Sequence, residues 1–199
     1  SILDVGCGTG VLLKQLNFAM NNKYNFTGLD FSKDMLESTC LNSKELETIN
    51  LVHGSAFSTP FPENHFDVVL CTRFIHQYND QLKSQLIDEI KRITKPKGII
   101  IIEFYSYFTG LIKYIYESVI MPEKFSTQKD IDDFSLHYVG KNDLHKLLGG
   151  KVEINPVILP MHSLLTKVLG INRFNKFNNL IKNLGGRFVF SEYLAVFSK

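Results

Sequence analysis

The sequence predicts an α/β fold built as a doubly wound, mainly parallel sheet, and three observations carry that prediction. An apolar strand, Ile2-Leu3-Asp4-Val5, runs straight into Gly6, Gly8 and Gly10 and then into a helical pattern with Val11, Leu12, Leu13 and Leu16. Short apolar runs then alternate with amphipathic helical segments, the pattern of a parallel sheet with helical crossovers. Finally, the polar and glycine positions Gly6–Gly10, Asp30, Ser55 and Thr72 all fall just beyond strand carboxyl ends, where such sheets bind ligands.

The elements follow in order. Strands are expected at 2–5, 25–30, 49–53, 66–71 and 98–105, and helices at 10–20, 32–43 and 80–94. Ser32, followed by Asp34 and Glu37, reads as an N-cap with an acidic first turn. Leu82, Leu86, Ile90 and Ile93 give the helix after residue 80 one apolar face. Phe108, Leu111, Ile112, Ile115, Val119 and Ile120 form a further helical stripe, and a helix over 141–148 ends at the Gly149-Gly150 pair. Val152–Leu159 reads as strand six and Arg187–Phe197 as the last strand, with 161–186 an insertion of one or two helices between them.

Length and composition narrow the class. A chain of 199 residues suits one domain burying about two thirds of its unfolded surface. The net charge of +2 does not single out a nucleic-acid binder. Cys7, Cys40 and Cys71 show no metal-ligand spacing and no disulfide pattern, which fits a reducing, cytoplasmic setting with no bound metal. The apolar run Ile99–Ile102 is too short for a membrane span, and no signal peptide or internal repeat is visible. The chain opens inside its first strand, so an N-terminally truncated single domain over 1–199 is expected.

The glycine spacing separates two cofactor classes. A dinucleotide fingerprint, Gly-x-Gly-x-x-Gly, would need its third glycine at Val11, and here it falls at Gly10. An NAD(P)-dependent dehydrogenase is therefore the weaker alternative. Asp30 closes the second strand about 20 residues further on, where an acid can grip two ribose hydroxyls. Together, Leu3-Asp4-Val5-Gly6-Cys7-Gly8-Thr9-Gly10, Gly28-Leu29-Asp30-Phe31-Ser32, the Pro60–Val69 run and Pro96-Lys97-Gly98 resemble the class I S-adenosylmethionine-dependent methyltransferases over residues 1 to about 105. The resemblance implies a Rossmann-like sheet of seven strands with an antiparallel last strand, and variable, substrate-side helices over 106–140 and 160–186.

It also implies a cofactor, S-adenosylmethionine, held by Asp4, Gly6, Cys7, Gly8, Gly10, Asp30, Phe31, Ser55, Ala56, Phe57 and Thr72. The glycines would wrap the methionine portion, Asp30 would hold the ribose through charge-assisted hydrogen bonds, and Phe31 would flank the adenine. Asp4, ionised, would order the loop and reach the cofactor's amino group indirectly. Where many relatives carry an acid for the adenine amine, this chain has Ser55, with the backbone N–H of Ala56 or Phe57 left to read the ring. A tight strand–helix turn with a helix-capping acid is the plainer reading of the same residues.

The reaction side is thinner. Cys71-Thr72-Arg73-Phe74 replaces the Asn/Asp-Pro-Pro-aromatic motif of base and glutamine N-methylators, so transfer to oxygen or carbon is favoured. His76 is the candidate base for a hydroxyl acceptor, with a packing histidine as its alternative. The stretch from Ile154 to Ser191 has no acid but carries Lys167, Arg173, Lys176, Lys182 and Arg187 among aromatic and aliphatic residues. It suits an anionic membrane surface or an anionic substrate, or is simply a solvated basic face. The expected function is methyl transfer to a small or lipid-like acceptor, with a non-catalytic binding module of the same fold as the second alternative. Nucleic acid is disfavoured as a partner because no recognition motif accompanies the charge.

Overall fold

The structure, a computed structural model, describes residues 1–41, 49–106, 138–149, 152–157 and 192–199. Its elements are β1 (Ile2–Val5), α1 (Val11–Ala19), β2 (Phe26–Asp30), α2 (Lys33–Leu41), β3 (Ile49–His53), β4 (Phe66–Cys71), α3 (Asp80–Ile93), β5 (Thr94–Ser106), β6 (Tyr138–Val139), α4 (Lys141–Leu148), β7 (Glu153–Val157) and β8 (Glu192–Ser198), with a 3₁₀ turn over Ile75–Gln77 before α3. The helical stripe at 108–120 and the insertion at 161–186 lie outside the described residues, as does nearly all of the acid-free stretch from 154 to 191.

The strands line up as β3-β2-β1-β4-β5-β8-β7, with the two-residue β6 alongside β5. The first five are parallel, and β8 runs antiparallel between β5 and β7. This is the expected seven-strand path with its antiparallel last strand; β6 is an eighth, short addition. The chain begins in the middle at β1, winds out to β3 and returns to β4, so strand order reverses between β1 and β4. In open sheets of this kind a crevice opens at that reversal, beyond the carboxyl ends.

Alternation along the strands explains the two layers. Leu3 and Val5, Val69 and Cys71, and Ile100 and Ile102 face the side covered by Leu86, Ile87, Ile90 and Ile93 of α3 and Leu144 and Leu148 of α4. Ile2, Phe26 and Leu70 face the other side, against Leu13 of α1 and Leu36 of α2. Each such buried side chain contributes roughly 1.5–3 kcal/mol. Asp4 occupies a position on the α1 side that the alternation would give to an apolar residue, and it is buried.

Several boundaries differ from the sequence expectation for visible reasons. Ser32 caps α2, accepting from Met35 N at 3.3 Å, and Asn79 caps α3, accepting from Leu82 N at 3.0 Å. The buried face of α3 is centred on Lys83, Leu86, Ile87 and Ile90, and Lys83 reaches the carboxylate of Asp80 at 3.1 Å. β5 starts at Thr94, four residues before Gly98, because Thr94 already pairs with Phe66; the register then shifts before Val68 meets Ile99. β7 and β8 are described over Glu153–Val157 and Glu192–Ser198, and positions 158–159 and 187–191 of the expected strands lie outside the described residues.

A buried polar network fixes the loop that follows β3. Glu89 of α3 accepts from Thr59 N and Thr59 Oγ1, both at 2.7 Å, and from Arg92 Nε at 2.7 Å, while Arg92 Nη2 donates to Phe61 O at 2.9 Å. These bonds, with the arginine foremost, hold the Glu89 carboxyl down at about 2. Its folded value lies below its ordinary one, so its contribution is present above about pH 4.5 and fades as pH falls toward 2. Glu89→Gln is expected to lose ~1–3 kcal/mol at pH 7 and to differ little from the parent near pH 2.5. Urea unfolding at the two pH values checks this.

Candidate functional site

The chain leaves β1 through a left-handed loop. Gly6, Gly8 and Gly10 have φ of 74°, 53° and 67°, a region glycine occupies at no steric cost. Gly6 N and Cys7 N donate to Leu29 O at 2.8 and 3.1 Å, which ties the loop to the end of β2. A side chain at Gly6 would also collide with Phe74, whose ring carbon would lie 2.4 Å from an added Cβ. An added Cβ at Gly8 would meet nothing within 4 Å, so the backbone there faces open space. α1 follows with Gly10 at its cap and no capping side chain, leaving its first N–H groups to the crevice.

Asp30 stands across from this loop. Its Oδ2 accepts from Gly8 N at 2.8 Å and its Oδ1 from Ser32 N at 2.9 Å, so the carboxylate is locked in orientation by two backbone donors. Two compartments meet at it. One, of about 280 Å³, lies toward β2 and β3 and is lined by Leu29, Phe31, Ser55, Ala56, Phe57 and Tyr78. The other, of about 530 Å³, lies over the loop and is lined by Asp4, Cys7, Gly8, Thr72, Arg73 and Gln77 among others. Gly6, Asp30 and Phe74 border both.

The electrostatics are those of an acidic crevice. Asp4 is 2% exposed and its Oδ1 has no hydrogen-bond partner among the described residues. Burial first, and the nearby Asp30 second, push its carboxyl up to about 7. The expectation of a fully ionised Asp4 is therefore corrected: burial leaves its carboxyl partly protonated at neutral pH. Burial, then the two carboxylates, push the Cys7 thiol up to about 12, which makes it a small neutral wall group. Burial also raises the Tyr78 phenol above its ordinary value, so it stays a neutral hydroxyl.

The structure thus brings Asp4, Gly6, Cys7, Gly8, Asp30, Phe31, Ser55, Ala56, Phe57 and Thr72 to one crevice. Phe31 is 75% exposed at its mouth, and its carbonyl is bonded to His53 Nε2 at 2.9 Å. Ser55 Oγ accepts from Phe57 N at 3.2 Å, which commits one of the two backbone donors expected near the adenine. Gly10 lines neither compartment; it turns the chain into α1 and donates to Cys7 O at 2.9 Å. His76 lines neither compartment either. Its ring lies face to face on Tyr105 at 4.1 Å, with Tyr138 beyond at 6.4 Å from Tyr105.

Sequence reasoning missed Phe74 and Tyr78. They pack edge to face at 5.3 Å, and Tyr78 meets Phe57 in the same way at 5.0 Å, forming an apolar wall. Their i, i+4 spacing after β4 was the available signal. Among the described residues no group of three or more His, Cys, Asp or Glu could hold a metal, and no helix is long and apolar enough to cross a membrane.

Comparison with known proteins points the same way. The family described as "Methyltransferase domain" matches residues 3–102. Demethylmenaquinone methyltransferase of Staphylococcus epidermidis is 38% identical over 115 residues, covering 57% of this chain and 47% of that protein. Its Staphylococcus haemolyticus counterpart is 38% identical over 99 residues, covering 50% and 41%. The chain spans about half the length of the curated relatives it matches. Among solved structures, an S-adenosylmethionine-dependent methyltransferase from Mesorhizobium loti superposes with a TM-score of 0.63 at 14% identity, covering all of this chain and 90% of that one. Phosphoethanolamine N-methyltransferase 2 of Haemonchus contortus, in complex with S-adenosyl-L-methionine, gives 0.65 at 15% identity, covering all of this chain and 48% of that one. At such identities these two structures speak for the fold.

Proposed function

The chain belongs to the methyltransferase-domain family, and from that premise we propose that it binds S-adenosylmethionine across the two compartments and transfers the methyl group to a small or lipid-like acceptor. The observation that carries the reading is Asp4: a buried carboxylate with an orphaned oxygen, opening onto a crevice with a second carboxylate, fits a ligand that brings positive charge. A dinucleotide would bring pyrophosphate charge to the compartment that Asp30 and Asp4 line, a repulsion that Arg73 on the same wall offsets in part.

The fit extends to the other residues. Gly6 and Gly8 would let the backbone approach the methionine portion, and the open space over Gly8 is where that approach would occur. Asp30, already oriented by Gly8 N and Ser32 N, would take the ribose hydroxyls at the junction of the compartments. Phe31 and the Phe57–Tyr78–Phe74 wall would enclose the adenine, with the Ala56 N–H as ring donor. When bound, the cofactor supplies a methyl group on a cationic sulfonium. The protein's task is then to align an acceptor and exclude water, effects worth ~7–11 kcal/mol in well-oriented intramolecular reactions. Oxygen and carbon acceptors both fit this frame; for a hydroxyl acceptor His76 would serve as the base only to an acceptor that reaches its ring beside Tyr105, outside both compartments.

The names of the relatives support a ring-bearing, lipid-like acceptor for this chain too. The acid-free, basic and aromatic stretch 154–191 agrees with an acceptor reached at an anionic interface. On this reading 1–199 is one catalytic domain, 106–140 and 160–186 form its acceptor side, and the free, buried Cys7 and Cys71 suit the cytoplasm. Incubating the protein with methyl-labelled S-adenosylmethionine and demethylmenaquinone in detergent tests the reading. Label is expected in the organic extract; its absence from an extract of a sample that binds cofactor contradicts the acceptor.

Ser55 offers a separate check. Ser55→Asp keeps an acceptor for Phe57 N–H and adds charge toward the adenine amine, so S-adenosylhomocysteine should bind tighter by about 1 kcal/mol. Calorimetric affinities of the two proteins decide it, and weaker binding by the variant places the adenine elsewhere.

A further inference from the structure

The wall shared by both compartments is made by the segment that leaves β4, and its geometry is unusual. Arg73 has φ of 54°, in the left-handed region that an arginine rarely adopts. The other described non-glycine residues with positive φ are Asn21, Asn22, Asn64 and Lys97, none of which lines either compartment. Asparagine tolerates this region, but arginine does not unless its surroundings hold it there. The strain bears on the site, because the turn at Arg73 swings Phe74 over Gly6, where an added Cβ would lie 2.4 Å from the ring.

One group holds the turn from outside it. Arg73 N donates to Glu103 Oε2 at 2.8 Å. Glu103 lies on β5 one residue past Ile102, which is in register with Cys71, the last residue of β4. Its side chain therefore reaches the first residues beyond the neighbouring strand. Glu103 itself is fixed, since its backbone is in register with Leu194 of β8. A second anchor within the segment, Gln77 Nε2 to Arg73 O, is weaker at 3.5 Å.

We propose that Glu103 is a positioning residue for the cofactor crevice: by accepting from Arg73 N it holds the left-handed turn that seats Phe74 against Gly6. Glu103 lines neither compartment, so it acts through Phe74. A charged acceptor on a backbone N–H is among the stronger hydrogen bonds, which is what a strained turn needs to persist. The proposal rests on the reading of the crevice as a cofactor site, and the experiment keeps the two apart.

Glu103→Ala and Glu103→Gln are compared with the parent by S-adenosylhomocysteine calorimetry, by amide hydrogen exchange resolved at residues 72–78, and by thermal unfolding. Glu103→Ala is expected to weaken binding about tenfold and to speed exchange of the Arg73 amide about tenfold, with β4 and β5 exchange unchanged. Glu103→Gln, whose amide oxygen still accepts, is expected to recover most of both. Parent-like binding and exchange in Glu103→Ala overturn the proposal, as does a Glu103→Gln protein no better than the alanine variant. If the parent itself fails to bind S-adenosylhomocysteine, the cofactor reading falls, and exchange at Arg73 alone decides whether Glu103 holds the turn.

Discussion

Asp30→Ala is expected to weaken S-adenosylhomocysteine binding by roughly 1.5–3 kcal/mol, about ten- to a hundredfold. Two losses combine. The variant removes the charged acceptors for the ribose hydroxyls, and it removes the carboxylate that Gly8 N and Ser32 N now meet at 2.8 and 2.9 Å, so the glycine loop keeps its backbone tie to Leu29 but loses this side-chain one. Asp30→Asn separates the two: the amide retains an acceptor for one backbone N–H but loses the charge, so it should fall between parent and alanine. Calorimetric titration of the three proteins measures the effect. Parent-like affinity in Asp30→Ala would remove Asp30 from the site.

Asp4→Asn is expected to change both stability and binding, with opposite dependence on pH. The Asp4 carboxyl, ordinarily near 3.8, sits at about 7 in the fold because of burial first and Asp30 second. A folded value above the unfolded one means that the protonated acid is favoured by folding. Its stabilisation is complete below about pH 4 and is lost as pH rises through 7, on the order of 2–4 kcal/mol across that window. Asp4→Asn should remove this slope, leaving the ligand-free variant more stable than the parent at pH 8. Binding moves the other way. A cationic group beside Asp4 favours its ionised form, so the parent's affinity should rise with pH through 7, while the variant binds about tenfold more weakly at pH 8 with little pH dependence. Thermal unfolding and calorimetry at pH 5.5 and 8 check both halves.

Much of the fold was legible because local signals agreed with the global pattern. β1 and β4 fall where their apolar runs lie, each interrupted by a single acid, because central parallel strands are covered on both faces, and β3, at the sheet edge, still shows Ile49, Leu51 and Val52. The loop was legible because three glycines at alternate positions mark a backbone that turns left-handed, and Asp30 because an acid closing a buried strand needs a polar crevice to face. The start of β5 was not, because Thr94 pairs with Phe66 across a register shift that depends on β4. The protonation of Asp4 was hidden for a similar reason: it comes from burial and from Asp30, 26 positions later in the chain. Arg73's left-handed turn is invisible in sequence because arginine carries no turn preference; the cause sits on another strand, in Glu103. The candidacy of His76 as a base rests on the resemblance, with a packing histidine beside it, and its stacking on Tyr105 is a tertiary contact that neither sequence nor resemblance shows.

The central claim is that the crevice between β1 and β4 accepts an S-adenosyl cofactor with its α-ammonium, present in S-adenosylmethionine and S-adenosylhomocysteine alike, toward Asp4. Calorimetric titration of one sample, first with S-adenosylhomocysteine and then with NAD, each in two buffers of different protonation enthalpy at pH 6.5, tests it most directly. The expected result is one-site binding of S-adenosylhomocysteine with release of a fraction of a proton from Asp4, and no heat with NAD. Binding of NAD without S-adenosylhomocysteine, or S-adenosylhomocysteine binding with no proton released, would contradict the account.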